Sequence, residues 1–125
     1  MPVVKKPQEM PPIDQLISEI ISQAEGKVGM ILTHVGVVRA TSRQGKPVKK
    51  VRVSADAHRL AEILALAQNQ PGIFKAEAYV REGELSVGEV LMVLIIAGDF
   101  RENVFETLKN TLNAIKAEVT SKQEI

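Results

Sequence analysis

Apolar residues at Ile13, Leu16, Ile17, Ile20 and Ile21 recur at i, i+3, i+4, i+7 and i+8, the spacing of one helical face. They predict a helix that begins at Ile13 and stops at Gly26. The stretch GMILTHVGVV, Gly29 to Val38, is rich in β-branched residues and apolar at both alternating sets of positions, which predicts a strand covered on both sides or interrupted at Gly36. A polar loop from Ala40 to Pro47 follows, then a second strand from Val48 to Val53 in which Lys49, Lys50 and Arg52 face water. Ser54 or Asp56 caps a helix that runs to about Asn69, with Leu60, Ile63, Leu64 and Ala67 as its buried face and Pro71-Gly72 as its terminator. Phe74, Ala76, Ala78 and Val80 then alternate with Lys75, Glu77 and Tyr79, the period of a strand with one face in the core. Val90 to Ile96 is seven apolar residues in a row, the signature of a central strand buried on both faces. The last helix starts near Arg101, with Val104, Leu108, Leu112, Ile115 and Val119 as its stripe and Phe105 widening it.

The predicted order is αββαββα, and hairpin-like strand pairs with separate helices argue for an α+β domain with a mostly antiparallel sheet. At 125 residues the chain forms one domain able to bury roughly two thirds of its unfolded surface. Residues 1–12 hold four of the six prolines and predict a flexible, extended arm, leaving residues 13–125 as the domain. No window reaches the ~20 apolar residues of a membrane span, and the start has no apolar signal core, so a cytoplasmic protein is expected.

Composition then removes classes of chemistry. Without cysteine there is no disulfide, thiolate nucleophile or cysteine metal site, so any sulfur chemistry needs sulfur carried by a partner. His34 and His58 are too far apart in sequence for a local ligand pair, and no metal site is expected. A net charge of +1, three Phe, one Tyr and no Trp give neither a global field for nucleic acid nor stacking platforms for bases. Nor is there a GxSxG, P-loop, HExxH or GxGxxG motif. Arg43, Lys46, Lys49, Lys50 and Arg52 place five cations within ten residues with no acid between them, by default a solvated loop and strand edge and alternatively a phosphate contact. His34, on an apolar strand, reads first as a core or interface residue, and His58 as exposed.

Three segments nevertheless carry a resemblance to a known family. GMILTHVGVVR, from Gly29 to Arg39, is followed by Gly45-Lys46-Pro47-Val48. Arg81 to Glu89 reads Arg-x-Gly-x-Leu-x-x-Gly-Glu, and Ala97 to Arg101 opens the last helix. Together they resemble the large subunit of molybdopterin synthase over about Gly29 to Val119. The resemblance implies an α/β-hammerhead-like fold and transfer of sulfur to cyclic pyranopterin monophosphate, with no permanently bound cofactor. The sulfur would come from the C-terminal thiocarboxylate of a small ubiquitin-like carrier subunit. A homodimer is implied, forming a heterotetramer with two carriers.

Residue by residue, the resemblance makes Lys116 the catalytic lysine and Arg39 and Arg101 the substrate clamp, with Arg101 reaching the pocket from the neighbouring large subunit. Lys122 and Lys46 are further candidates. Fixed arginines and a lysine suit a pocket that must hold a phosphate, protonate leaving oxygens and guide an acyl-thiolate tail. Several positions depart from the family: Phe100 stands where it has histidine, Gln123 where it has a second lysine, and its closing Pro-x-Trp-Lys segment is replaced by Thr120 to Ile125. Read without the family, Lys116 is a polar-face residue in the last turns of a helix, where the dipole favours cations. A non-catalytic paralogue acting as a binding or regulatory module on the same fold is therefore the alternative.

Overall fold

The computed structural model describes residues 2–125, which form two sheets and three α-helices. Within the proline-rich arm, β1 (Val3–Val4) lies parallel to a later strand and Val4 is buried, while Pro7–Glu9 makes one 3-10 turn. Helix α1 (Ile13–Ala24) ends where Glu25 and Gly26 enter the left-handed region, a conformation that costs glycine nothing. Its buried stripe is Leu16, Ile20 and Ala24; Ile21, expected on the same face, is exposed on the flank.

Strand β2 (Met30–Val37) pairs antiparallel with the central strand, and its register breaks between Gly36 and Val37. It lies at the sheet edge, yet Met30 and Leu32 pack on one core and Ile31 on the other, so its first half is covered on both faces and the interruption comes at Gly36, and both expectations are met in part. Strand β3 (Lys50–Ala55) buries Val51 and Val53 and turns Lys50 and Arg52 outward. Helix α2 (Ala57–Gln68) starts at Asp56, whose carboxylate accepts a hydrogen bond from Arg59 N at 3.0 Å. Removing this cap with Asp56→Ala is expected to lower stability by about 1 kcal/mol in urea unfolding.

Strands β4 (Ile73–Arg81), β5 (Gly83–Ser86) and β6 (Val90–Gly98) follow, then α3 (Arg101–Glu118) and β7 (Thr120–Glu124). The αββαββα order is present, with β1, β5 and β7 in addition. The larger sheet runs β1-β4-β6-β2, and β6 is internal, as its unbroken apolar run predicts. The smaller sheet runs β5-β3-β7 and is wholly antiparallel.

Both faces of the large sheet are covered. On one, Ala76, Ala78, Val80, Met92, Leu94 and Ile96 share a core with α2, α3 and the inner residues Val51, Val53 and Leu85 of the small sheet. On the other, Val93, Ile95 and Ala97 pack under Leu16 and Ile20 of α1. A register shift between Ile73 and Lys75 sends Phe74 to this second face, with Tyr79, instead of in line with Ala76 and Ala78. The stripe of α3 is also rotated from the expected one. Val104, Thr107, Thr111 and Ile115 are buried, Leu108 and Leu112 are half-buried, and Phe105 is 54% exposed.

The segment from Arg81 to Glu89 is a latch, not a simple turn. Arg81 Nη1 donates to Glu89 Oε1 at 2.7 Å, Ser86 N donates to Glu89 Oε2 at 2.6 Å, and Leu85 between them is fully buried. These two bonds, that of Ser86 first, hold the Glu89 carboxyl below its ordinary range. No helix among the described residues is long and apolar enough to cross a membrane.

Candidate functional site

The two sheets and the C-terminal half of α3 enclose an open cavity of about 500 Å³ lined by Arg39, Arg43, Lys116, Lys122 and Glu124 over the apolar floor of Val51 and Leu91. A second cavity of about 320 Å³ continues from it and shares Val37, Arg43, Leu91, Lys116 and Lys122, adding His34, Gly36 and Met92. Each wall residue is placed by its element. Arg39 follows the break in β2, and its Nε donates to the carbonyl of Thr41 at 2.9 Å, holding the guanidinium across the mouth of the loop. That loop closes through the Thr41–Pro47 bridge and the Ser42–Lys46 backbone bond, with Gly45 at φ +83°, and so brings Arg43 into both cavities.

Lys116 leaves the last turns of α3 on the side away from the buried stripe. The chain then reverses at Val119 and returns as β7 along β3. Directly opposed residues in an antiparallel pair share a face. Lys122 lies opposite Val53 and Glu124 opposite Val51, so both belong to the inner face and line the first cavity. Gln123 lies opposite Arg52, on the outer face, where Arg52 and Lys50 pair with Glu84. The position that matches the second family lysine therefore turns away from the cavity, and its neighbour Lys122 turns in.

Four cations and one carboxylate thus face a partly apolar space, and among the described residues none of the four makes an ion pair. Such a wall suits an anionic ligand with an apolar or planar body. His34 adds a different group. Its Nε2 is buried and has no hydrogen-bond partner, and burial, then the charge of Lys116, lowers its pKa from the ordinary histidine value.

Arg39, Lys116 and Lys122 are therefore brought together, whereas Arg101 and Lys46 are not. Lys46 stays on the outside of the loop, its backbone N–H bonded to Ser42 Oγ. Arg101 sits at the opposite end of α3 from Lys116, about 22 Å along the axis. Its side chain is 79% exposed and pairs with the neighbouring Glu102. The start of α3 is fixed by Asp99, which accepts from Phe100 N and Asn103 Nδ2, while Gly72 at φ +75° leaves room that any Cβ would take from the Asp99 carboxylate. Sequence reasoning passed over Glu124 and reached Arg43 only as one member of a basic cluster with a phosphate contact as its alternative role. The dense cation run gave a signal for Arg43; Glu124 had none, because only the β7 register turns it inward.

A family model described as MoaE protein matches residues 7–118. Among solved structures, molybdopterin synthase from Staphylococcus aureus superposes with a TM-score of 0.79 at 19% identity, covering 98% of this chain and 88% of that one. The molybdopterin biosynthesis MoaE protein from Burkholderia ambifaria MC40-6 gives 0.76 at 16% identity, with 98% and 82% covered. The complex of subunits 1 and 2 of molybdopterin-converting factor from Helicobacter pylori 26695 gives 0.72 at 15% identity, again with 98% and 82% covered. No curated protein matches the sequence significantly. At these identities the structural likeness speaks for the fold.

Proposed function

The chain belongs to the MoaE protein family, of molybdenum cofactor biosynthesis, and on that premise we propose that it is a molybdopterin synthase large subunit. In this reading it moves sulfur from the thiocarboxylate of a small carrier subunit to cyclic pyranopterin monophosphate. The observation that carries the reading is the convergence of Arg39, Lys116 and Lys122 on one cavity, from three elements distant in sequence. Arg39 and Arg43 bind the phosphate, and Lys116 supplies the proton that leaves with an oxygen as sulfur replaces it. Lys122 takes the part of the second family lysine. The open, apolar-floored mouth accepts the extended tail of the carrier, and the Helicobacter pylori complex of two subunits supports a partner of that kind.

We further propose that the functional unit is a homodimer, joined to two carriers as a heterotetramer. Support comes from β2, an open edge whose Val35 and Val37 are exposed, Val37 by 51%. Met30, at the start of β2, is paired with Gly98, three residues before Arg101. Two copies paired antiparallel along β2 therefore bring the partner's Arg101 corner toward the Val37–Arg39 end of this chain, supplying the anion ligand that α3 holds far from Lys116 within one copy.

The test is reconstitution of the purified chain with a thiocarboxylated carrier and cyclic pyranopterin monophosphate, read as the fluorescent oxidation product of molybdopterin. Product is expected. Lys122→Ala is expected to slow its formation by about tenfold or more, while Gln123→Ala leaves it within about twofold, because only the first faces the substrate. Equal effects of the two substitutions would remove Lys122 from the site. A second reading, a non-catalytic paralogue, rests on Phe100, 67% exposed where the family has histidine. It predicts no product from the wild-type chain at any carrier concentration.

A further inference from the structure

His34 stands apart from the other cavity residues. It sits in the middle of β2, opposite Leu94 of the central strand, where an apolar side chain would meet no unsatisfied group. Instead the chain places there an imidazole whose Nε2 is buried without a partner. A buried polar atom left unpaired costs free energy, and beside a cavity an atom of a bound molecule is one partner that can satisfy it. The ring lines the inner cavity together with Gly36, which follows it on the same strand face and has no side chain to stand between them.

We propose that His34 is a ligand-binding residue of the inner cavity, donating a hydrogen bond from Nε2 to an anionic oxygen of the bound molecule and drawing in a proton as that molecule binds. The proposal rests on the anion-binding reading of the cavity and adds to it a donor that the family resemblance does not supply. The groups facing His34 set the direction of its proton uptake. From α3 comes Lys116, from β7 Lys122 and from the loop Arg43, all cationic; β6 presents only apolar residues, and Glu124 lies in the outer cavity. Burial, and after it the charge of Lys116, lowers the imidazole pKa from its ordinary value and so disfavours the imidazolium. An oxyanion seated among the three cations cancels their field, the imidazolium becomes favourable, and Nε2–H strengthens its bond to the anion. Nε2 is shielded in the empty cavity, so the contact requires the ring to turn toward the space that it already lines.

Sulfate is the appropriate probe, because its charge does not change between pH 5 and 8. Calorimetric titration is run with the wild-type chain, His34→Phe and His34→Gln, with histidine ring NMR on the wild type. His34→Phe is expected to bind sulfate about tenfold more weakly at pH 6, and His34→Gln, which keeps an N–H donor, within about threefold of wild type. Wild-type affinity is expected to rise as pH falls from 8 to 6, His34→Phe is expected to lose that dependence, and saturating sulfate is expected to raise the pKa of the His34 ring. Sulfate binding by His34→Phe as tight as wild type, with His34 ring signals unmoved at saturation, would overturn the assignment and leave the anion cavity intact. If the wild-type chain binds no sulfate, the anion reading of the cavity falls, and His34 with it.

Discussion

Lys116→Ala is expected to lower molybdopterin formation by about 10³-fold while changing unfolding free energy by no more than about 0.5 kcal/mol. The two halves of this expectation have separate causes. Lys116 is exposed on the polar side of α3 and makes no ion pair among the described residues, so folding owes it little. It also borders both cavities, so a ligand in either lies beside its ammonium group. A stability loss equal to that of a core substitution would reassign Lys116 to structure.

Pairing this variant with Arg101→Ala probes the dimer as well. Each alone is expected to be inactive. Mixed and allowed to exchange subunits, they should recover about a quarter of wild-type activity, since half the dimers then hold one intact site built from both copies. No recovery would mean that Arg101 serves a different place.

The largest effects on stability are expected on β6, where Leu94→Ala and Ile95→Ala should each cost about 2–5 kcal/mol and lower the melting temperature by roughly 10 °C or more. Adjacent residues of a strand point to opposite faces, and in a sheet wet on one side only one of the pair would matter. Here Leu94 belongs to the core beneath α2 and α3, and Ile95 to the core beneath α1, and both are fully buried. Thermal and urea unfolding of the two variants measures each layer. A small loss for Ile95→Ala alone would show that α1 seals its face poorly.

The double burial of β6 was legible because seven apolar residues in succession have few other uses in a chain of this length. Asp56 and Gly26 were legible as helix boundaries for the same reason, since capping chemistry is local. The stripe of α3 was not. Hydrophobicity favoured Leu108, Leu112 and Phe105, yet the helix turns Thr107 and Thr111 inward, on the side that shares a groove with Ile63 and Ala67 of α2. Strands β5 and β7 lacked any alternating apolar pattern. Thr120 to Glu124 is mostly exposed and is held to β3 by backbone bonds that leave no mark on side-chain composition.

The site shows the same division. Arg39 and Lys116 were reached through the resemblance, and the fold sets them on one cavity. Arg101 was reached the same way but lies outside it, at the opposite end of α3 from Lys116. His34 was read as a core or interface residue, and its strand does run beside the core; that one ring nitrogen is left unpaired is a property of its neighbours in space.

The alternation of β7 also bears on how relatives of this chain are compared. Matching residues column by column equates Gln123 with a lysine and scores the position as lost. What the cavity samples, however, is parity: any cation an even number of residues from Lys122 along β7 projects inward, and any an odd number away projects outward. A single-residue insertion or deletion at Val119 would thus exchange the two sets without altering which amino acids the segment contains. Relatives in which the lysine has shifted by one column are better sorted by strand phase than by identity, and a chain counted as degenerate by the second criterion can be intact by the first.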